Sequence, residues 1–207
     1  MKKRTIALLM AVVMLFGATV GGTIAWIQAK TGEVKNTFTV GDINIELKEH
    51  DYIQSSNSLD TSKEVEIEED YKMIPGLTLK KDPFVRVKAN SENCWVFVTV
   101  EKSTNFDTYM TFAIDSTWEE VTGATGATDN LKVYRYKTVV NNSTSDQLLN
   151  IINGTNVTVK NTVTKSQLEA AKTANPTLTF KAYAVQSDNL GDINTAQEIW
   201  DVARTAA

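Results

Sequence analysis

The chain has 207 residues, with 21 Lys+Arg against 25 Asp+Glu and one histidine, for a formal net charge of −4. At 42% hydrophobic and 22% charged its composition is globular, which excludes disorder as the default, and the acidic balance argues against nucleic acid or an anionic lipid surface as partner. The single cysteine, Cys94, excludes an internal disulfide, so an exported form of this chain relies on its core, on metal or on assembly.

The first 25 residues read as an export signal. Lys2-Lys3-Arg4 precedes an uncharged run from Thr5 to Gly22, and small residues, Thr23 and Ala25, stand at −3 and −1 of a cleavage site before Trp26. The run approaches the length of a membrane span, so a retained anchor is the competing reading. Gly21-Gly22 just ahead of the site and the lack of a basic stop-transfer cluster after it favour removal. Residues 1–25 hold three basic and no acidic side chains, so cleavage leaves 18 Lys+Arg against 25 Asp+Glu, a net of −7. The remainder is long enough for one domain with a sizeable core. The expected organisation is a signal at 1–25, an N-terminal segment at 26–37 and a sandwich domain at 38–207.

Past residue 36 the hydrophobic pattern has the period of strands. Phe38, Val40, Ile43, Ile45 and Leu47 alternate with polar residues, with a parity shift at Gly41-Asp42 of the kind a bulge produces. Glu64 to Glu68 alternates, and so does Cys94 to Glu101, where Cys94, Val96, Val98 and Val100 share a face. Residues 84–88, 109–114, 131–138, 156–160 and 178–186 are further candidate strands. Their frequency, with turn-rich joins such as Gly123-Ala124-Thr125-Gly126, predicts a mainly β protein, an antiparallel β-sandwich of jelly-roll type. Three short helices are expected among them. The first is 144–152, with Leu148, Leu149 and Ile152 on one side. The second opens at the capping box Thr164-Lys165-Ser166-Gln167. The third is 194–203, with Ala196, Ile199, Trp200 and Ala203 on one stripe.

Catalytic chemistry is nearly absent from the pattern. His50 has no second histidine with which to build a common zinc site, and it reads as an exposed strand-end residue. A Cys94–His50 nucleophilic pair is conceivable, but Cys94 shares the parity of three valines and reads as a buried, inert thiol. Glu64, Glu66, Glu68, Glu69 and Asp70 offer many oxygens to calcium, yet no calcium-loop pattern surrounds them, and a solvated face is the better reading. The Asn-x-Ser/Thr sites at Asn141, Asn142, Asn153 and Asn156 mark polar surface loops. No catalytic, metal or cofactor residue is assigned, and the expectation is a protein that is not an enzyme and carries no cofactor.

Three blocks then resemble a family. Gly21-Gly22-Thr23-Ile24-Ala25-Trp26 followed by Asn36 to Leu47 is similar to the start of TasA/camelysin-type proteins of Gram-positive bacteria, which are exported through the SipW-type signal peptidase. Met73 to Val87, with Pro75-Gly76 and Lys81-Asp82-Pro83, resembles that family's Pro-Gly turn and the lead-in to its next strand. Lys181 to Gln186 with the Trp200 helix is similar to its closing segment; residues 105–175 match nothing in it.

The resemblance implies a secreted jelly-roll subunit of extracellular matrix or cell-surface fibres, found at the membrane only before signal cleavage. Its freed N-terminus would insert as a strand into the next copy, or into a related fibre subunit. The residues are compatible with this: Trp26, Val34, Phe38 and Val40 share strand parity, and such a peptide pairs with a neighbour's sheet edge through its backbone. Repeated head to tail, the contact gives a filament. The metalloprotease label attached to camelysin finds no ligand set here. The alternative from the same pattern is a monomeric secreted or surface β-sandwich that binds a ligand through its loops; a hydrolase is the least supported reading.

Overall fold

A computed structural model describes residues 42–65, 71–188 and 190–205. These belong to one compact unit, residues 41–207. In chain order its elements are β1 (Ile45–Ile53), β2 (Ser58–Val65), β3 (Thr78–Lys80), β4 (Phe84–Val87), β5 (Cys94–Lys102), α1 (Phe106–Tyr109), β6 (Met110–Ile114), β7 (Trp118–Glu120), β8 (Leu131–Tyr136), β9 (Gln147–Asn150), β10 (Ile152–Val159), α2 (Lys165–Ala171), β11 (Leu178–Gln186) and α3 (Ala196–Ala203). The fold is mainly antiparallel β in three sheets, with strand orders β2-β1-β4-β9, β3-β10-β6 and β11-β5-β8-β7, an arrangement consistent with a β-sandwich.

The longest ladder explains the most apolar segment. β5 pairs along its whole length with β11, from Cys94↔Gln186 to Lys102↔Leu178, and on its other side with β8. Cys94, Val96, Val98 and Val100 point into a core shared with Val85 and Val87 of β4 and Leu149 of β9, so two four-stranded sheets face each other across it. Phe97 points the opposite way, where Ile199, Trp200 and Ala203 of α3 cover it. Both faces of β5 are therefore buried, and an alternating strand becomes a nearly continuous apolar run. Trp200 completes that second layer: its indole N–H donates to the Thr125 carbonyl at 2.9 Å, and its ring meets Tyr183 edge-on at 5.0 Å. The third sheet holds a separate core, in which Leu79, Met110, Ile152 and Val157 pack with Phe106 and Tyr109 of α1 and Ala171 of α2.

Two of the three expected helices form, each with a capping box. Thr164 accepts from the Gln167 backbone N–H while the Gln167 side chain accepts from Thr164 N–H, and Thr195 and Glu198 repeat the arrangement at α3. The expected helix at 144–152 is a correction. Its residues run as β9 and enter β10, with Val85↔Leu149 and Ile152↔Ile114 in register. Leu149 and Ile151 are buried while Leu148 is 53% exposed, which is the alternation of a strand. A cluster of four apolar residues fits either period, and pairing with β4 decides it. β3, β7 and α1 had no counterpart in the sequence reading; β3 and β7 have three residues each and α1 has four, too few to show a period.

Candidate functional site

The Pro75-Gly76 turn and the segment after it build one wall of a groove. Gly76 takes φ +80°, the left-handed value that the third position of a type II turn demands, and Leu77 N–H closes the turn on the Ile74 carbonyl at 2.9 Å. β3 then pairs with β10 and carries Leu79 into the core. Lys81, Asp82 and Pro83 follow, and each has a defined task. Lys81 N–H donates to the Thr155 carbonyl at 3.0 Å, and the Pro83 carbonyl accepts from Ile151 N–H at 3.0 Å. The Lys81 ammonium reaches Glu49 at 2.6 Å and lies 5.1 Å from the Tyr71 ring centroid.

Asp82 finishes what β4 leaves undone. The β1–β4 ladder ends at Lys48↔Phe84. Two residues further along β1, the Asp82 carboxylate takes the place of the missing strand: Oδ1 accepts from His50 N–H at 3.1 Å, and Oδ2 lies 2.7 Å from His50 Nδ1. His50 is thus a correction to the sequence reading. It sits inside β1 with its side chain 18% exposed, packed at 5.3 Å from the Phe84 ring, and is not an exposed strand end.

Beside this brace lies a groove with a cavity volume of ≈ 520 Å³. Leu47 and Glu49 of β1, Leu79 of β3, Phe106 of α1, Met110 of β6 and Val157 of β10 line it, and Asn175 to Phe180 close it along the start of β11. Leu178 and Phe180 are only partly buried, and they touch the cores of both the sandwich and the third sheet. Among the described residues β11 pairs with β5 alone, so its other edge runs beside this groove without a partner strand. An apolar trough next to an unpaired nine-residue edge is the geometry that accepts an added strand, with backbone bonds along the edge and side chains in the trough.

The remaining candidates are placed elsewhere. Cys94 is fully buried and burial pushes its thiol up to about 11, so it is held as a thiol. It lies in the sandwich core, whereas the His50 ring is bonded to Asp82, so the two are not brought together as a dyad. Glu64 forks onto Arg86, with Nη1 donating to Oε2 at 2.7 Å, and Arg86 also reaches Glu46 at 3.2 Å and Asp146 at 3.6 Å. Hydrogen bonding to the guanidinium holds the Glu64 carboxyl below its usual range, and the Lys88 ammonium does the same for Asp146. Among the described residues no group of three or more His, Cys, Asp or Glu side chains is placed to hold a metal. Glu66, Glu68, Glu69 and Asp70 lie outside the described residues, as do the cleavage residues Thr23, Ala25 and Trp26 and the assembly residues Trp26, Val34, Phe38 and Val40.

The charged pair inside the groove, Glu49 with Lys81, and the brace residue Asp82 were not singled out from sequence as site residues. The signal was present in Lys81-Asp82-Pro83, a charged tripeptide ahead of an apolar strand. Compared with known proteins, the chain matches no family model, no curated protein and no solved structure.

Proposed function

We propose that this chain is a secreted structural subunit of extracellular matrix or cell-surface fibres, a jelly-roll sandwich that assembles by strand donation. After signal cleavage, residues 26–40 of one copy add to the free edge of β11 in the next and seat alternate side chains in the groove. The carrying observation is that edge and groove stand side by side, with Leu178 and Phe180 of the edge strand forming part of the trough. The three sequence blocks that resemble TasA/camelysin-type proteins support the same reading. So does the acidic balance, which favours a soluble subunit before assembly. The contact is heterologous and does not close, so it propagates into a filament. The partner is therefore a second copy of this chain or a related subunit, with a SipW-type peptidase acting upstream.

The test is negative-stain microscopy of the protein starting at Trp26, beside the same protein carrying an N-terminal tag. Filaments from the free terminus alone are expected. Monodisperse particles from both would overturn self-assembly and favour the alternative, a monomeric binding module. One feature favours that alternative: an open cleft of ≈ 670 Å³ where Trp95, stacked by the Arg135 guanidinium at 4.5 Å, faces Asp188 and Asn194.

A further inference from the structure

We infer that the Glu49–Lys81 pair sets the register of the incoming strand, and that Asn36 of the donating copy is the residue it receives; this rests on the strand-donation reading above. The two side chains are 11% and 13% exposed and bond at 2.6 Å in a trough lined also by the apolar Leu47, Leu79, Phe106 and Phe180 and by the polar Lys48 and Asn175. A buried ion pair of this kind adds little net stability compared with apolar residues of similar size, and its best attested use is to fix register. A single buried asparagine performs the same task in coiled coils, because any slip places an apolar side chain against a polar one.

The donor segment has one position that fits this role. Trp26, Gln28, Lys30, Gly32, Val34, Asn36, Phe38 and Val40 share one face of an extended strand. On that face Asn36 alone is a polar side chain with an apolar residue on both sides, Val34 before it and Phe38 after. Its amide carries what the pair requires, a carbonyl to accept from the Lys81 ammonium and an NH₂ to donate to the Glu49 carboxylate. A slip of two residues in either direction puts Val34 or Phe38 on the charges and leaves them without the amide. A slip of one turns the whole apolar set away from the trough. The correct register is the one in which apolar and polar requirements are met together.

The experiment uses the mature chain and two kinds of variant. Asn36→Leu is expected to reduce the filament fraction at fixed protein concentration by about tenfold or more, since the incoming strand then leaves two buried charges unsolvated. Asn36→Leu combined with Glu49→Leu and Lys81→Met is expected to restore assembly, because the leucine then meets apolar side chains where the ion pair stood. Normal assembly by Asn36→Leu alone, or failure of the folded triple variant to recover, overturns the proposal. Circular dichroism and a thermal melt establish folding. Should the triple variant not fold, oxidation of Asn36→Cys with Lys81→Cys decides: a ladder of covalent multimers that is stronger than with Val34→Cys or Phe38→Cys supports the register. A stronger ladder from position 34 or 38 overturns the register and leaves strand donation standing. No intersubunit cross-link from any of the three positions, with no filaments from the unaltered chain, overturns strand donation and the register with it.

Discussion

Asp82→Ala tests whether a side chain carries the end of the β1 ladder. The substitution removes two acceptors at once, leaving the His50 backbone N–H and the ring nitrogen at 2.7 Å without their partner. Each donor left without a bond in a site this sheltered costs about 1–3 kcal/mol. The side chains of His50 and Asp82 are 18% and 11% exposed, so water recovers part of it, and a total of about 2–4 kcal/mol is expected. For a domain of this size that is a drop in Tm of roughly 5–12 °C. Asp82→Asn keeps one acceptor for the His50 N–H and should cost only about 1 kcal/mol. A denaturant titration of wild type, both Asp82 variants, His50→Ala and the Asp82→Ala/His50→Ala double variant gives the coupling energy directly. Coupling near zero, with Asp82→Ala melting within about 1 °C of wild type, would refute the idea that the carboxylate substitutes for a strand. Under the strand-donation proposal, Asp82→Ala also weakens assembly, because β1 forms a wall of the groove.

Other perturbations probe separate layers of the molecule. Trp200→Ala removes a 4% exposed ring that touches Phe97 and Tyr183 and leaves the Thr125 carbonyl without its donor, so a loss of about 3–5 kcal/mol is expected in chemical denaturation. Thr164→Ala and Thr195→Ala should each cost about 1 kcal/mol, additively, since the two caps stand on different helices. The lowered carboxyls of Glu64 and Asp146 contribute stability that is complete above the ordinary carboxylate range and lost as pH falls through their folded values. Acid titration followed by circular dichroism should therefore show a shallower acid limb in Arg86→Gln than in wild type, and an identical limb would argue that this ion-pair cluster is energetically idle. The Cys94 thiol should react with a thiol reagent only at the rate of unfolding; rapid labelling of the native protein would contradict its burial.

What the sequence reveals depends on the length over which a period repeats. β5 and β11, at nine residues each, were legible to within a residue, and the helix stripe Ala196, Ile199, Trp200, Ala203 was legible because it keeps the helical period over two turns. Leu148, Leu149 and Ile152 misled because three apolar residues fit 3.6 as readily as 2, and only the ladder with Val85 separates them. The second apolar face of β5 was invisible for the reason that its cover, α3, lies about a hundred residues away in sequence. The groove residues were hidden differently. Lys81 and Glu49 are charged and read as surface, and only the meeting of β1 with the segment before β4 removes them from water.

That meeting bears on the edge of β11 that, among the described residues, has no partner strand. A long unpaired edge next to apolar side chains is an aggregation hazard, and proteins blunt such edges with prolines, bulges, inward charges or a covering segment. β11 carries no proline, and its ladder with β5 runs unbroken through nine pairs without a bulge. Its outward positions near the groove are Thr179 and Lys181, a modest deterrent, while Leu178 and Phe180 stay partly open to the trough. On the strand-donation proposal, the Glu49–Lys81 pair inside the groove selects which strand enters more than it prevents entry. An edge left unblunted but fitted with a selective pair is the arrangement expected of a surface that is meant to be covered by one particular strand, and mismatched strands should lose to the cognate one in direct competition for the groove.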